Sequence, residues 1–169
     1  MGLSILETER LILRPWSLDD VDALHQVWTD PLVRRYLWDD DVISRQRAAA
    51  AVESSLASAN RNGVGLWCVL PKAAGALAGF CGFRYIDDST DAIELLYGLL
   101  PGYWGRGLAT EAARAALEYG FNAELFTRIY ARTDVSNRAS IRVMERLGMK
   151  FERETHLDPR PTLIYSMAH

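Results

Sequence analysis

The chain has 169 residues, 49% of them apolar and 24% charged, with a formal net charge of −3; that suits one domain with a sizeable core and disfavours a general nucleic-acid binder, which would carry a basic excess. No apolar run is long enough to span a bilayer, and the start Met1-Gly2-Leu3-Ser4-Ile5-Leu6-Glu7 lacks the basic region of a secretory leader. Cys68 and Cys81 have no metal spacing and fall in apolar runs, so a cytoplasmic protein with buried reduced thiols and no metal centre is expected.

In chain order, Arg10-Leu11-Ile12-Leu13-Arg14 reads as an edge strand ended by Pro15. Ser17 suits an N-cap, with Asp19 and Asp20 in the first turn and Val21, Leu24, Val27 and Trp28 at helical spacing. Asp30-Pro31 stops that helix, and Leu32 to Trp38 begins a second helical piece or a loop beside the site. Asp39-Asp40-Asp41 reads as a solvated loop; as a metal site it lacks the other spaced ligands. Ser44 opens an alanine-rich helix to about Asn60, with Gly63 beyond its end. Three strands follow, Gly65 to Leu70, Ala76 to Ile86 and Ala92 to Leu100, joined by turns at Pro71 to Gly75 and Asp87 to Asp91.

The third strand runs into Pro101-Gly102-Tyr103-Trp104-Gly105-Arg106-Gly107-Leu108-Ala109-Thr110-Glu111, a glycine-spaced loop opening a helix to about Phe121. A strand, a glycine loop and a helix start can cradle a phosphate: the first helical N–H groups lack partners, the dipole is positive there, and glycine lets backbone approach an anion. A P-loop is excluded, since no Gly-Lys-Ser or Gly-Lys-Thr occurs. A dinucleotide fingerprint fails at its third glycine, where Thr110 stands, and no acid lies about twenty positions on, where the chain reads Thr127-Arg128-Ile129-Tyr130. A coenzyme A pyrophosphate or a bare glycine turn remains. Beyond the helix, Arg128 to Thr133 is a strand parallel to the third, because a helix joins them. Ser136-Asn137 caps a helix carrying Ile141, Met144 and Leu147 on one face and ended by Gly148. Lys150 to His156 and Leu163 to Met167 form a last hairpin around Asp158-Pro159-Arg160-Pro161.

The loop resembles that of the GNAT superfamily of N-acetyltransferases, Q/R-x-x-G-x-G/A, with Trp104-Gly105-Arg106-Gly107-Leu108-Ala109 in its place; Trp104 departs from the pattern. Tyr103 to Ala112, Thr8-Glu9-Arg10-Leu11-Ile12-Leu13-Arg14 and Asp134 to Ser140 with Leu147-Gly148-Met149 are similar to the branch that acetylates ribosomal-protein N-termini. The resemblance covers nearly the whole chain. It implies one acetyltransferase domain over 1–169 with a mixed α/β fold, a centrally splayed sheet of about six to seven strands with helices on both faces. It also implies acetyl-CoA as co-substrate and a primary amine as acceptor (a protein N-terminus or a small molecule); charge and hydropathy add the expectation of neither nucleic acid nor membrane as partner, and homodimerisation stays open.

Such a reaction needs the thioester held, an oxyanion stabilised and an ammonium proton removed. The resemblance places the backbone of Tyr97 and Leu99 against pantetheine and acetyl, the pyrophosphate at Trp104, Gly105, Arg106, Gly107, Leu108, Ala109 and Thr110, and the coenzyme arm at Asn137. Gly98 fits a place where a ligand presses on the strand. Arg106, Arg138 and Arg142 are either phosphate ligands or plain surface arginines. Glu94 is either a solvated sheet-end glutamate or a general base whose pKa burial raises; His25 is a second base candidate or a packing residue. Ser140 is either a small helix-packing residue or the acid that protonates the thiolate. Trp28, Tyr36, Trp38, Trp67, Phe83 and Tyr85 are core residues or walls of the acceptor pocket. Without turnover, the same loop would serve a non-catalytic acyl-CoA-binding module.

Overall fold

A computed structural model describes residues 2–87, 91–156 and 160–169. Apolar runs of strand length separate helices of amphipathic spacing, and the chain resolves the two into one mixed sheet covered on both faces. The elements are β1 (Leu6–Glu7), β2 (Leu11–Pro15), α1 (Val21–Thr29), α2 (Pro31–Arg34), α3 (Arg45–Asn62), β3 (Leu66–Pro71), β4 (Gly79–Tyr85), β5 (Ile93–Leu99), α4 (Leu108–Asn122), β6 (Arg128–Asp134), α5 (Arg138–Arg146), β7 (Lys150–Thr155) and β8 (Thr162–Ala168). The eight strands lie in the order β1-β2-β3-β4-β5-β6-β8-β7. That is more than the six or seven expected, the addition being the two-residue β1, which pairs with Leu13 and Ile12. β2 is therefore one place in from the edge, and Pro15 is its last residue, opposite Trp67, rather than the residue beyond it. The turns expected at 87–91 and 158–161 fall partly on residues 88–90 and 157–159, outside the described set.

β3 and β4 are buried on both faces, which is why they read as continuous apolar runs. Successive side chains of a strand point to opposite faces, so Trp67 and Cys68 enter different cores. Trp67, Cys81, Phe83 and Leu95 pack under Leu108, Ala112 and Ala116 of α4 and Ile141 and Met144 of α5. Cys68, Leu66 and Phe80 pack under Leu24, Val27 and Trp28 of α1 and Ala48 and Val52 of α3. Burial, with the nearby Asp20 charge, pushes the Cys68 thiol up to about 12, so it stays a neutral core residue.

The helix ends follow their local chemistry. Ser44 Oγ accepts from the N–H of Arg47 at 3.1 Å to start α3, and Gly63 closes it in the left-handed region. Asp20, three residues past Ser17, accepts from the Ser17 N–H at 2.7 Å and pairs with both terminal nitrogens of Arg14, tying β2 to the turn before α1. No helix among the described residues is long and apolar enough to cross a membrane.

Candidate active site

β5 and β6 run parallel, but their registered pairing is confined to Glu94 opposite Tyr130. Beyond that point the strands part. Leu100 N–H donates to the Ala78 carbonyl at 2.8 Å, and Leu99 stands opposite Gly79. In an antiparallel ladder this turns the N–H and C=O of Leu99, and by alternation those of Tyr97, away from β4 and into the gap towards β6. Trp104 Nε1 donates to the Leu99 carbonyl at 2.6 Å, so the aromatic that departs from the glycine-loop pattern braces the end of β5. Gly98 faces elsewhere: a Cβ there would lie 2.8 Å from the Phe80 ring, so a core side chain rather than a ligand demands the glycine.

The gap opens onto the start of α4. Gly105 and Gly107 have φ of 72° and 75°, a left-handed conformation that favours glycine, and Gly107 is the N-cap. Glu111 is the first residue whose N–H reaches back into the helix, to the Gly107 carbonyl at 3.0 Å. The N–H groups of Leu108, Ala109 and Thr110 precede it and have no intrahelical acceptor. The loop is pinned from the other end of the chain. Glu111 accepts from Thr8 Oγ1 at 2.6 Å, from Arg10 N–H at 2.9 Å and from Arg10 Nε at 2.7 Å, while Arg10 Nη1 donates to the Arg106 carbonyl at 2.9 Å. Burial pushes the Glu111 carboxyl up, but these bonds from Thr8 and Arg10 outweigh it and hold it below its ordinary range. Beside the loop, Gly107, Thr110, Arg10, Arg114 and Arg146 line a groove of about 330 Å³. Thr110 Oγ1 is buried there without a hydrogen-bond partner.

α5 approaches the same gap. Asn137 caps it by accepting from the Ser140 N–H at 3.2 Å. The Tyr97 hydroxyl lies 2.8 Å from Ser140 Oγ and donates to the Ser140 carbonyl at 3.2 Å. Two helix starts, α4 and α5, and the bare edge of β5 thus enclose one slot between parallel strands. Such a slot can hold an extended ligand with an anion at the α4 end.

A family model for the acetyltransferase (GNAT) domain matches residues 10–150. The chain belongs to the GNAT family. It is an N-acetyltransferase, as are its relatives: an uncharacterised N-acetyltransferase, p20, from Bacillus licheniformis is 33% identical over 155 residues, 89% of this chain and 84% of the other. The solved GNAT acetyltransferase from Bacillus anthracis superposes with a TM-score of 0.81 at 26% identity, covering 98% of each chain. The ribosomal-protein α-N-acetyltransferase RimL, solved in complex with coenzyme A, has a TM-score of 0.82 at 21% identity and covers 98% of each chain, a likeness of fold.

A cavity of about 690 Å³ lies between α1, α3 and the segment 35–39 on one side and the sheet on the other. Trp28, Tyr36, Trp38, Phe83 and Tyr85 line it, Trp28 and Phe83 being core residues as well; Trp67 does not, being fully buried with its Nε1 donating to the Ser4 carbonyl at 2.8 Å. Glu94, 2% exposed, stands where the strands begin to part and also borders this cavity. Its Oε1 accepts from Arg84 Nε at 2.6 Å and Arg132 Nη2 at 2.9 Å, and its Oε2 from Arg132 Nε at 2.7 Å. Burial alone would raise its pKa, as expected from the sequence. The Arg132 and Arg84 guanidiniums outweigh that, and the carboxyl sits below its ordinary range. The expectation of a raised pKa is therefore reversed.

His25 is committed elsewhere: its Nε2 bonds the Ile43 carbonyl at 2.8 Å, tying α1 to the segment before α3. Arg106, Arg138 and Arg142 are exposed, and none lines the groove at Gly107. Arg10, Arg114 and Arg146 do. Helical spacing offered a signal for Arg114, seven residues beyond Gly107 and so two turns along the same face; Arg10 comes from the bend before β2, about a hundred residues away in the chain, and spacing could not find it.

Proposed function

We propose that this acetyltransferase takes its acetyl group from acetyl-CoA and delivers it to a primary amine, a peptide or protein N-terminus or a small molecule. The observation that carries the reading is the Tyr97 and Leu99 edge, its N–H groups turned away from β4, leading directly to the start of α4, which has no side-chain cap. The fit of the co-substrate rests on the orphaned Thr110 hydroxyl and the arginines of the adjoining groove. The co-substrate supplies an already activated thioester, so no covalent enzyme intermediate is needed. The N–H groups of Leu108, Ala109 and Thr110 receive the pyrophosphate, with Trp104, Gly105, Arg106 and Gly107 shaping the turn. Asn137 at the start of α5, and Arg142 one turn further along it, serve the coenzyme arm. Backbone N–H of Tyr97 or Leu99 meets the oxyanion.

Ser140 Oγ, ordered by Tyr97, gives a proton to the departing thiolate. Glu94 stays ionised: both of its oxygens are taken by guanidiniums, so it fixes the acceptor end of the slot, and the ammonium proton leaves through water rather than onto this carboxylate directly. A protein N-terminus as acceptor is supported by the phrases shared with the ribosomal-protein branch. The test is thiol release from acetyl-CoA over a panel of peptide and small-molecule amines, beside calorimetric coenzyme binding. Release with at least one amine is expected. Tight coenzyme binding without release from any amine would instead establish a silent acyl-CoA-binding module.

A further inference from the structure

From the acceptor cavity we infer that the amine acceptor carries an anionic group, a carboxylate or phosphate, which this site binds through arginine. The inference rests on the acetyl-transfer reading and names the substrate class of the same site.

The chain as a whole is acidic, with a net charge of −3. The cavity wall has the opposite sign: Arg35, Arg47, Arg61, Arg84, Arg132 and Arg160 stand against three carboxylates, Asp39, Glu94 and Asp134. Two of those carboxylates are already engaged. Glu94 is shared by Arg84 and Arg132, and Asp134 takes Arg160 at 3.4 Å. Arg47 lies over the Trp38 ring, 5.0 Å from its centroid, and Arg35 over Tyr36 at 5.5 Å. Among the described residues no ion pair neutralises Arg35, Arg47 or Arg61.

A polycationic acceptor needs several carboxylates with free oxygens, and among the described residues of this wall Asp39 is the one carboxylate without an arginine partner, against six arginines. An anion meets planar guanidiniums held in place by a buried carboxylate on one side and by stacking on aromatic rings on the other. Arginine fixed in this way favours bidentate recognition of carboxylate or phosphate, because little side-chain freedom remains to be lost. Low-dielectric walls strengthen the attraction and draw an anionic acceptor in. Glu94 is thereby a positioning residue: it holds Arg84 and Arg132 facing the cavity.

The experiment compares matched amines: ethanolamine with phosphoethanolamine, and glycinamide with glycine, with spermidine as the polycation. Binding is read by calorimetry on the protein alone, and acetylation by thiol release from acetyl-CoA. Phosphoethanolamine or glycine is expected to bind at least about tenfold tighter than the matched amine without the anionic group, the scale of one charge-assisted hydrogen bond. Arg84→Gln and, on the other wall and away from Glu94, Arg47→Gln should each bring that ratio towards one and raise KM for the anionic acceptor more than kcat falls. Phosphate and carboxylate arms separate the two anion types. Equal binding of the amines with and without the anionic group, or a preference for spermidine, overturns the inference even if acetylation proceeds. Binding of the anionic amine without thiol release from any acceptor keeps the anion site and overturns the catalytic reading instead.

Discussion

The Tyr97 hydroxyl and Ser140 Oγ are 2.8 Å apart, joining β5 to α5 across the slot between parted strands. One of the two donates to the other, so the pair presents a polarised hydroxyl at the place proposed for the leaving sulfur. A free thiol has a pKa near 8.5, so the thiolate departs at modest cost even unprotonated. Ser140→Ala is expected to lower kcat by no more than about tenfold, below the roughly 10²–10⁴-fold typical of general acid–base groups. Tyr97→Phe should act on the same step, and the double variant should lose little more than the worse single one. Abolished turnover in Ser140→Ala with coenzyme binding intact would make protonation the hard step.

Gly107 has φ of 75° at the N-cap of α4. Gly107→Val forces a β-branched residue into that region, at about 1–3 kcal/mol of strain, and puts a branched side chain where backbone should meet phosphate. Coenzyme affinity by calorimetry should fall at least tenfold. Gly107→Asn separates the two effects, since asparagine tolerates the left-handed region: its melting temperature should stay near that of the parent while coenzyme binding still weakens. Unchanged affinity in both variants would remove the pyrophosphate from this turn.

Glu94→Gln keeps the shape and removes the charge that Arg84 and Arg132 share. Arg84 is 53% and Arg132 30% exposed, so both can rehydrate, and the cost at neutral pH should be about 1.5–3 kcal/mol rather than that of a fully buried pair. The folded carboxyl titrates below its ordinary 4.5, so its stabilisation is present above that pH and is lost as pH falls through the folded value. Chemical-denaturation curves should therefore show parent and variant far apart at pH 7 and converging below about 4.5. The pH dependence of kcat/KM should follow the acceptor amine in both proteins. A variant that loses an ionisation from that profile would restore Glu94 as the direct base.

Asn137→Ala removes the cap of a nine-residue helix and should cost about 1 kcal/mol. It should also weaken coenzyme binding, because the Ser140 N–H then lacks its acceptor and the start of α5 loosens towards the slot. Thermal melts and calorimetry read the two effects separately; no change in either would mean that α5 does not help to form the site.

Much of the architecture was legible because it is locally encoded. Ser44, Gly63, Asn137 and Gly148 mark helix ends by capping chemistry, and the apolar periods of β3 to β5 and of α4 and α5 place the core faces. The parting of β5 from β6 was also expected, since oxyanion donors need an unpaired strand edge. β1 was not: two residues carry no period, and they pair only because β2 offers them an edge.

The sequence by itself determined the reaction family, through a glycine loop at a helix start and phrases in a fixed order, and it named Tyr97, Thr110, Asn137 and Ser140 for the slot. Tertiary structure alone decided the electrostatics. Whether a carboxylate in an apolar strand is a base or a clamp depends on which charges face it from other strands, and Arg84 and Arg132 come from β4 and β6 to hold Glu94 ionised. The same is true of Arg10, brought from the bend before β2 to brace the loop, and of the arginines that converge on the cavity proposed for the acceptor. Charge interactions act through space, and a chain of residues in order does not carry the distances on which they depend.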